Sequence, residues 1–525
     1  MADFIAPQPG QYEDNKNIRS VWDAMDTGKG DLIERSKEYA RLTTPSICPM
    51  DNAGKTEQEH ANVMIGPRCV NFLAHKLVNT MFPHDRPFFK IGIKPQVEFD
   101  LSKQVEQATI DKSKTDIEER GIQVARLGMS KIDMIQYRPV AIEAAKHLIV
   151  TGNAVIRRLP NTKRVVYGVK DFGIFRHIDG SPYDIIVRDM SRFDALDKNV
   201  QDAVRAHRVG VKPYDTVALY SRWRWDARAG KWEFTQAVDD HNLPTFSLVA
   251  EKDFPLIPLT WTLARGENYG RGLVEDNIAA FNSIDVSTTA LLDLMGIAAD
   301  IKFFVNPGSV IDIQELINSK RGTYHLGAEG DVSSPNVSQQ KMADMRVMAE
   351  SIANWERNLS AAFLMSSGSV RDAERVTAEE IRFYAKEIES AYGGLYSMLS
   401  KVWQLFEATW AISQIEQGLP KFVDVLITTG LDALSQESAL DNLGRSFQML
   451  AILNGTPPEV LGTLDLSSIA RFIFMNNNLP FNQFTLSKEQ MQERQAQQQA
   501  QMQQQVDMQK NADVSKAVAQ GAAKQ

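Results

Sequence analysis

The sequence predicts a mainly α-helical protein with inserted β-rich regions, an α+β chain. Three observations predict it. Apolar residues recur every three or four positions in the N-terminal part and again from about residue 268 onward, the period of a helix with one buried stripe. From Ala154 to about Thr262 the pattern alternates instead, and Gly, Asp and Pro separate the runs, as in strands joined by turns. The last stretch, from Lys488, is rich in Gln and Ala and has almost no core-forming residues, which fits a solvated helix or no fixed structure.

The elements follow in chain order. "DLIERSKEYARLTTPSICPMD" reads as a helix ending before Pro45. Phe72, Leu73, Leu77 and Met81 line a second helix that Pro83 stops, and "FFKIGI" then alternates like a strand. A polar helix is expected over about Leu101–Leu127 and an apolar one over about Ile135–Val150, closed by Gly152 in "TGNAVIRRL". "RVVYGV", "YDIIVRD", "TVALYSRWRW" and "KWEFTQAV" then form a small antiparallel sheet or barrel. Val274, Ile278, Phe281, Ile284, Leu291 and Met295 step along the next helix. A strand-like segment with two Gly-rich turns leads to a helix over about Lys341–Leu364, with Met342, Met345, Ala349, Ile352 and Leu359 on one face.

After the polar loop "SSGSVRDAER", the stretch "ERVTAEEIRFYAKEIESAYGGLYSML" starts a long helix. Thr377 is its N-cap candidate: its hydroxyl accepts from the amide of Glu380, whose carboxylate reaches back to the Thr377 N–H. A helix from Ala378 to Gln417 would span ~60 Å at ~1.5 Å per residue. Gly393 and Gly394 stand inside it, each about 1 kcal/mol worse than Ala. They mark either close packing of another helix or a bend. "FVDVLITTGLDAL" then reads as a strand and turn, followed by two or three helices to about Met475.

Composition bounds the function. A chain of 525 residues carries a soft expectation of about three to four domains, and 43% hydrophobic with 24% charged residues suffices for a large core. Cys48 and Cys69 read as buried thiols in a reducing compartment. "MADFIAPQPGQ" lacks the pattern of a signal peptide, and no window approaches ~20 apolar residues, so no membrane partner is expected. A net charge of -8 argues against wrapping nucleic acid through overall charge, but not against letting it pass. No GxxxxGK[ST], HExxH, GxSxG or CxxC occurs, and no two His sit four residues apart as a helical metal site needs. "GENYGRGLVE" fails the GxGxxG spacing and reads as a glycine turn rather than a phosphate cradle. No catalytic residue, metal or cofactor is assigned, and the chain is expected not to be an enzyme.

Several stretches together resemble one family. "ERVTAEEIRFYAKEIESAYGGLYSML", "GENYGRGLVEDNIAAFNSI", "FFVNPGSV", "TGNAV", "ITTGLDAL", "ARLTTPSICP" and "LAHKLVNTMFP" look like the head-to-tail connector, or portal, of short-tailed podovirus-type bacteriophages. The matches run in order from about residue 30 to 450. The resemblance implies a ring, usually of twelve copies, around a DNA channel at one capsid vertex. It places a wing over 1–267, a first stem helix over 268–299, a clip over 300–340 and a second stem helix over 341–365. A tunnel loop over 366–376, a long kinked helix over 377–429, a crown over 430–488 and a tail over 489–525 complete the chain. The implied partners are other copies of the chain, double-stranded viral DNA, the terminase motor, tail adaptor and nozzle proteins, major capsid and scaffolding proteins, and internal core proteins.

Within that frame, Arg371 and Arg375 of the tunnel loop are the basic candidates to touch the DNA backbone, beside Ser367 and Ser369; local ion pairs with Asp372 and Glu374 are the alternative. Glu275, Asp276, Asp285 and Asp293, against Arg271 alone, are candidate channel-lining acids or a solvated face. Ile301, Phe303, Phe304 and Val305 are the clip residues expected to bury between subunits. A different adaptor or internal-core protein of a phage particle, or a nucleic-acid-processing enzyme, are the competing readings.

Overall fold

The computed structural model describes residues 17–50, 61–83, 87–93, 121–299, 304–318, 331–333, 339–365, 378–415, 423–427 and 448, apart from Ile122, Asn161, Val209 and Gly393. The chain divides into two compact units, Met1–Leu431 and Asp432–Gln525. The crown and the Gln-rich tail expected beyond residue 430 fall in the second unit and lie outside the described residues, Gln448 excepted.

Helix α3 (Ile65–Met81) is the spine of the main core. Cys69, Val70, Leu73, Ala74, Leu77, Val78 and Met81 are fully enclosed, while Phe72 is half-buried. The helix ends where the Phe82 N–H bonds the Val78 carbonyl and Pro83, without an N–H, cannot continue it. Against α3 packs α5 (Tyr137–Thr151), and α2 (Gly30–Leu42) packs on α5 in the same core. Ala141, Ala144, Ala145 and Leu148 enter the same core, so α5 is buried on most of its surface. A helical run over 123–134, α4, precedes α5; the expected polar helix before it is otherwise outside the described residues.

The β-rich region forms two antiparallel sheets rather than a barrel. One has strand order β3-β2-β9, from β2 (Asn153–Arg158), β3 (Arg164–Tyr167) and β9 (Leu256–Thr260). The other is a meander of β4 (Phe172–Arg176), β5 (Pro182–Arg192), β6 (Thr216–Asp226), β7 (Lys231–Val238) and β8 (His241–Ala250). Val155 and Tyr167 meet Phe172, Ile174, Ile185, Val187, Trp223 and Trp232 in a core of their own, as alternation at period two requires. On the far face of the meander, α1 (Ile18–Gly28) buries Ile18, Trp22 and Met25 against Ile186, Ala218 and Tyr220. A helix that alternation does not reveal, α6 (Lys198–His207), joins β5 to β6. The strand "FFKIGI" is present as β1 (Phe89–Ile93); its partner is the late strand β12 (Val423–Ile427), paired antiparallel from Phe89 opposite Ile427 to Ile93 opposite Val423.

The remaining helices are α7 (Leu273–Asp276), α8 (Ile278–Ala299), α9 (Ile313–Asn318), α10 (Gln339–Ala362), α11 (Ala378–Tyr392), α12 (Leu395–Leu399) and α13 (Leu405–Ser413). Between α8 and α10, β10 (Phe304–Val305) pairs with β11 (Val332–Ser333). The stretch expected to be strand-like thus contains a short helix as well. The single expected helix from residue 268 is broken at Asn277, whose side chain donates to the Leu273 carbonyl and closes α7.

Candidate functional site

Helices α8 and α10 leave the main core packed against each other. At their base Phe281 meets Phe363 edge-on at 5.8 Å, and Ile284 and Leu359 are buried. Beyond Ile284 no described residue of α8 is buried, and before Leu359 none of α10 is. Val286, Leu292, Met295 and Val347 stand 70%, 51%, 53% and 61% exposed, so the pair projects with apolar side chains in water.

A glycine joint anchors this pair. Gly152 ends α5 in the left-handed region, φ 78°, and leads into β2. A Cβ there would fall 2.4 Å from the Arg271 carbonyl carbon, and one on Gly272 would fall 2.7 Å from the Ile149 oxygen. Two chain segments therefore pass backbone to backbone. Asn153 clamps them: its amide donates to the Gly270 carbonyl and accepts from the Gly270 N–H, both at 2.7 Å. The Arg271 N–H donates to Thr262 O at 2.8 Å. Two N–H groups that a phosphate cradle would offer are thus already used, and "TGNAV" and "GENYGRG" are two halves of one joint.

The four acids divide into two kinds. Glu275 pairs with Arg35 at 2.8 Å, and Asp285 pairs with Arg41 at 3.0 Å while accepting from the Asn62 N–H at 2.8 Å. Arg35 and Arg41 both lie on α2, so these carboxylates tie the base of the pair to the core. Hydrogen bonds that the Arg41 guanidinium donates to the Glu38 and Asp285 carboxylates hold it above its ordinary pKa against its burial. Asp276 and Asp293 are exposed. Arg271, the lone base expected near them, pairs with Glu267 at 3.0 Å.

Of the clip residues, Val305 is half-buried and Phe304 sits opposite Ser333 in the two-strand ladder. Ile301 and Phe303 lie outside the described residues, as do Ser367, Ser369, Arg371, Arg375 and Thr377. Glu380 lies in the first turn of α11.

The long helix is interrupted where two glycines adjoin. Gly394 has φ +89°, and no atom lies within 4 Å of where its Cβ would stand. Its backbone conformation, not close packing, separates α11 from α12. Glu389 bridges the break, accepting from the Ser397 N–H at 3.1 Å and its hydroxyl at 2.7 Å. A π turn over Ser400–Gln404 follows. Then Glu407 of α13 takes a two-pronged ion pair from Arg164 of β3, at 3.1 and 2.8 Å, with both side chains buried and the guanidinium 4.1 Å over Trp410.

Comparison with known proteins decides the family. The family described as "Bacteriophage head to tail connecting protein" matches residues 15–482. This chain belongs to that family. The chain is 29% identical over 505 residues to the portal protein of Enterobacteria phage SP6, spanning 95% of this chain and 94% of that one. It is 28% identical to the portal protein of Escherichia phage T7, over 91% of this chain and 90% of the relative, and 28% identical to that of Pseudomonas phage phiKMV, over 91% and 93%. Among solved structures, a chain from "Virion of native gene transfer agent (GTA) particle" aligns at TM-score 0.37 and 11% identity, covering 88% of this chain and 99% of that one, a likeness too loose to argue from.

Sequence reasoning missed Arg35 and Arg41 as partners of the acids, and the Arg164–Glu407 pair. The arginines of α2 stand at helical spacing with Glu38, a visible signal for local pairs only. Nothing in the sequence links positions 164 and 407, because their contact exists only once β3 packs on α13.

Proposed function

We propose that the chain is a portal subunit, about twelve copies of which ring one capsid vertex and leave an axial channel for packaging and ejecting viral DNA. The observation that carries this reading is its extent: the family matches residues 15–482, and relatives named portal proteins align along nine-tenths of the chain. The projecting pair supports it. Val286, Leu292, Met295 and Val347 lose their contact with water if copies repeat around an axis, and head-to-tail contacts close into a ring when the rotation permits. In this reading α7 to α10 form the stem and clip, residues 366–376 the tunnel loop, and α11 to α13 the long bent helix over the wing. The clip would meet the terminase motor first, then the tail adaptor and nozzle proteins. Major capsid, scaffolding and internal core proteins would meet other surfaces, with assembly in the host cytoplasm and residence in the virion. The terminase would supply the energy, and the portal would hydrolyse nothing.

Glu275 and Asp285 are tied to arginines, so Asp276 and Asp293 are the acids left to line a channel. Repeated around a ring they would repel phosphates, and DNA would slide with few retarding contacts. Arg371 and Arg375 would make the few contacts that position it. Native mass and negative-stain images of the purified chain test the assembly: closed rings of about twelve with an axial hole support it, whereas a monomer with nuclease or ATPase activity overturns it. The Arg371→Ala/Arg375→Ala variant should form normal rings but package or retain less DNA; unchanged packaged length and retention would remove the DNA contact.

A further inference from the structure

The end of α10 and the third turn of α11 meet at one buried side chain. Lys76 sits inside α3, and its ammonium donates to Glu387 Oε2 of α11 at 2.6 Å. The same ammonium donates at 3.3 Å to the carbonyl of Leu364, just past the end of α10. It also lies 4.6 Å from the ring centre of Tyr384, about one turn before Glu387 on α11. A second pin stands beside it: the Tyr392 hydroxyl donates to the Ala362 carbonyl at 2.8 Å, so α11 also holds the last residue of α10. Trp261 packs edge-on against Tyr392 at 5.2 Å, backing that pin from the start of the joint region.

The backbone at Leu364 shows that this arrangement is built. Leu364 has φ +57°, a left-handed conformation that disfavours a residue with a Cβ by about 1–2 kcal/mol. Glycine would take the turn without strain but would leave a gap in the core, where the Leu364 side chain is buried. Leucine meets both needs: a reversal that presents the carbonyl to Lys76, and an apolar anchor beneath it. An ordinary neutralised lysine needs one carboxylate. Lys76 reaches one oxygen at the end of α10 and one in α11, two helices that α3 also packs against directly.

We propose that Lys76 is a positioning residue, which ties the chain leaving α10 at Leu364 and the third turn of α11 at Glu387 to one point of the core. The functional consequence rests on the reading in which residues 366–376, between these two helices, face DNA; the clamp itself does not. In full-length protein, Lys76→Met/Glu387→Leu removes the charges together and leaves no orphaned carboxylate. Amide hydrogen exchange is then read over 359–365 and 378–392, with β5 and β6 as reference. The clamp predicts exchange at least tenfold faster at both ends and an unchanged reference; unchanged exchange at the ends, or an even change across the chain, overturns it. Tyr392→Phe, which removes one hydroxyl, should speed exchange over 359–365 alone, and no change there also counts against the clamp. The packaging arm separates the two ideas. Faster exchange with lower DNA retention supports clamp and contact together, whereas faster exchange with wild-type retention upholds the clamp and sinks the DNA contact.

Discussion

Two glycines show why a residue's role is read from its surroundings and not from its type. Gly394 sits in open space with φ +89°, so an added Cβ meets strain and no neighbour. Gly394→Ala should lose about 1–2 kcal/mol in denaturant unfolding, and Gly394→Asn less, because Asn tolerates that backbone region. Gly272→Ala should lose more than Gly394→Ala in the same assay, because its Cβ would press on the Ile149 and Val150 carbonyls and the Gly152 amide. The sequence marked both positions but could not separate them, since φ and the approach of a distant backbone are tertiary facts. His147 adds a titrating case. Its ring fills the space left by the missing side chain of Gly168, its Nδ1 has no hydrogen-bond partner, and burial lowers its pKa to about 4. The unfolded chain binds its proton near pH 6.5, so between about 6.5 and 4 unfolding is favoured as pH falls. His147→Phe should flatten that fall by up to about 3 kcal/mol if the ring is accommodated, and urea melts across this range check it.

At the level of elements, helices whose stripe faces the main core were legible, as α3, α5 and the base of α8 show. Their period is enforced by burial along the whole face, and Pro83 and Gly152 mark their ends. The outer part of α8 had the same period, yet Met295 stands in water, because a stripe records an apolar face and not what covers it. Helix α6 was missed because it is short and sits inside a run of alternating strands. The joint of Asn153 with Gly270 was visible only as two separate motifs. The Arg164–Glu407 pair was invisible, and it links the β-rich region to the helix after the π turn. Arg164→Met should lose about 3–5 kcal/mol by stranding a buried carboxylate, whereas Arg164→Met/Glu407→Leu should be near neutral. Thermal melts of single and double variants decide this; equal losses in both would mean that the pair's geometry, and not its charge balance, holds the two elements.

At the scale of the whole molecule, the apolar residues of the projecting pair are the part that a lone chain leaves unexplained. Val286→Asp/Met295→Asp should leave the circular dichroism and melting of an isolated chain unchanged while blocking assembly, as read by native mass. Assembly as efficient as wild type would place the subunit contacts elsewhere. A last consequence concerns time. Among the described residues, strand β1 pairs with β12, roughly 330 residues later. At about 5–20 residues per second a ribosome needs some tens of seconds to deliver that partner. During that interval Phe89 and Ile91 lack the β12 partner, and an edge left open there can recruit a stray strand from another nascent chain. Closure of this late ladder is therefore a natural checkpoint: a truncated chain lacking residue 423 onward would leave β1 without this partner and be diverted to aggregation.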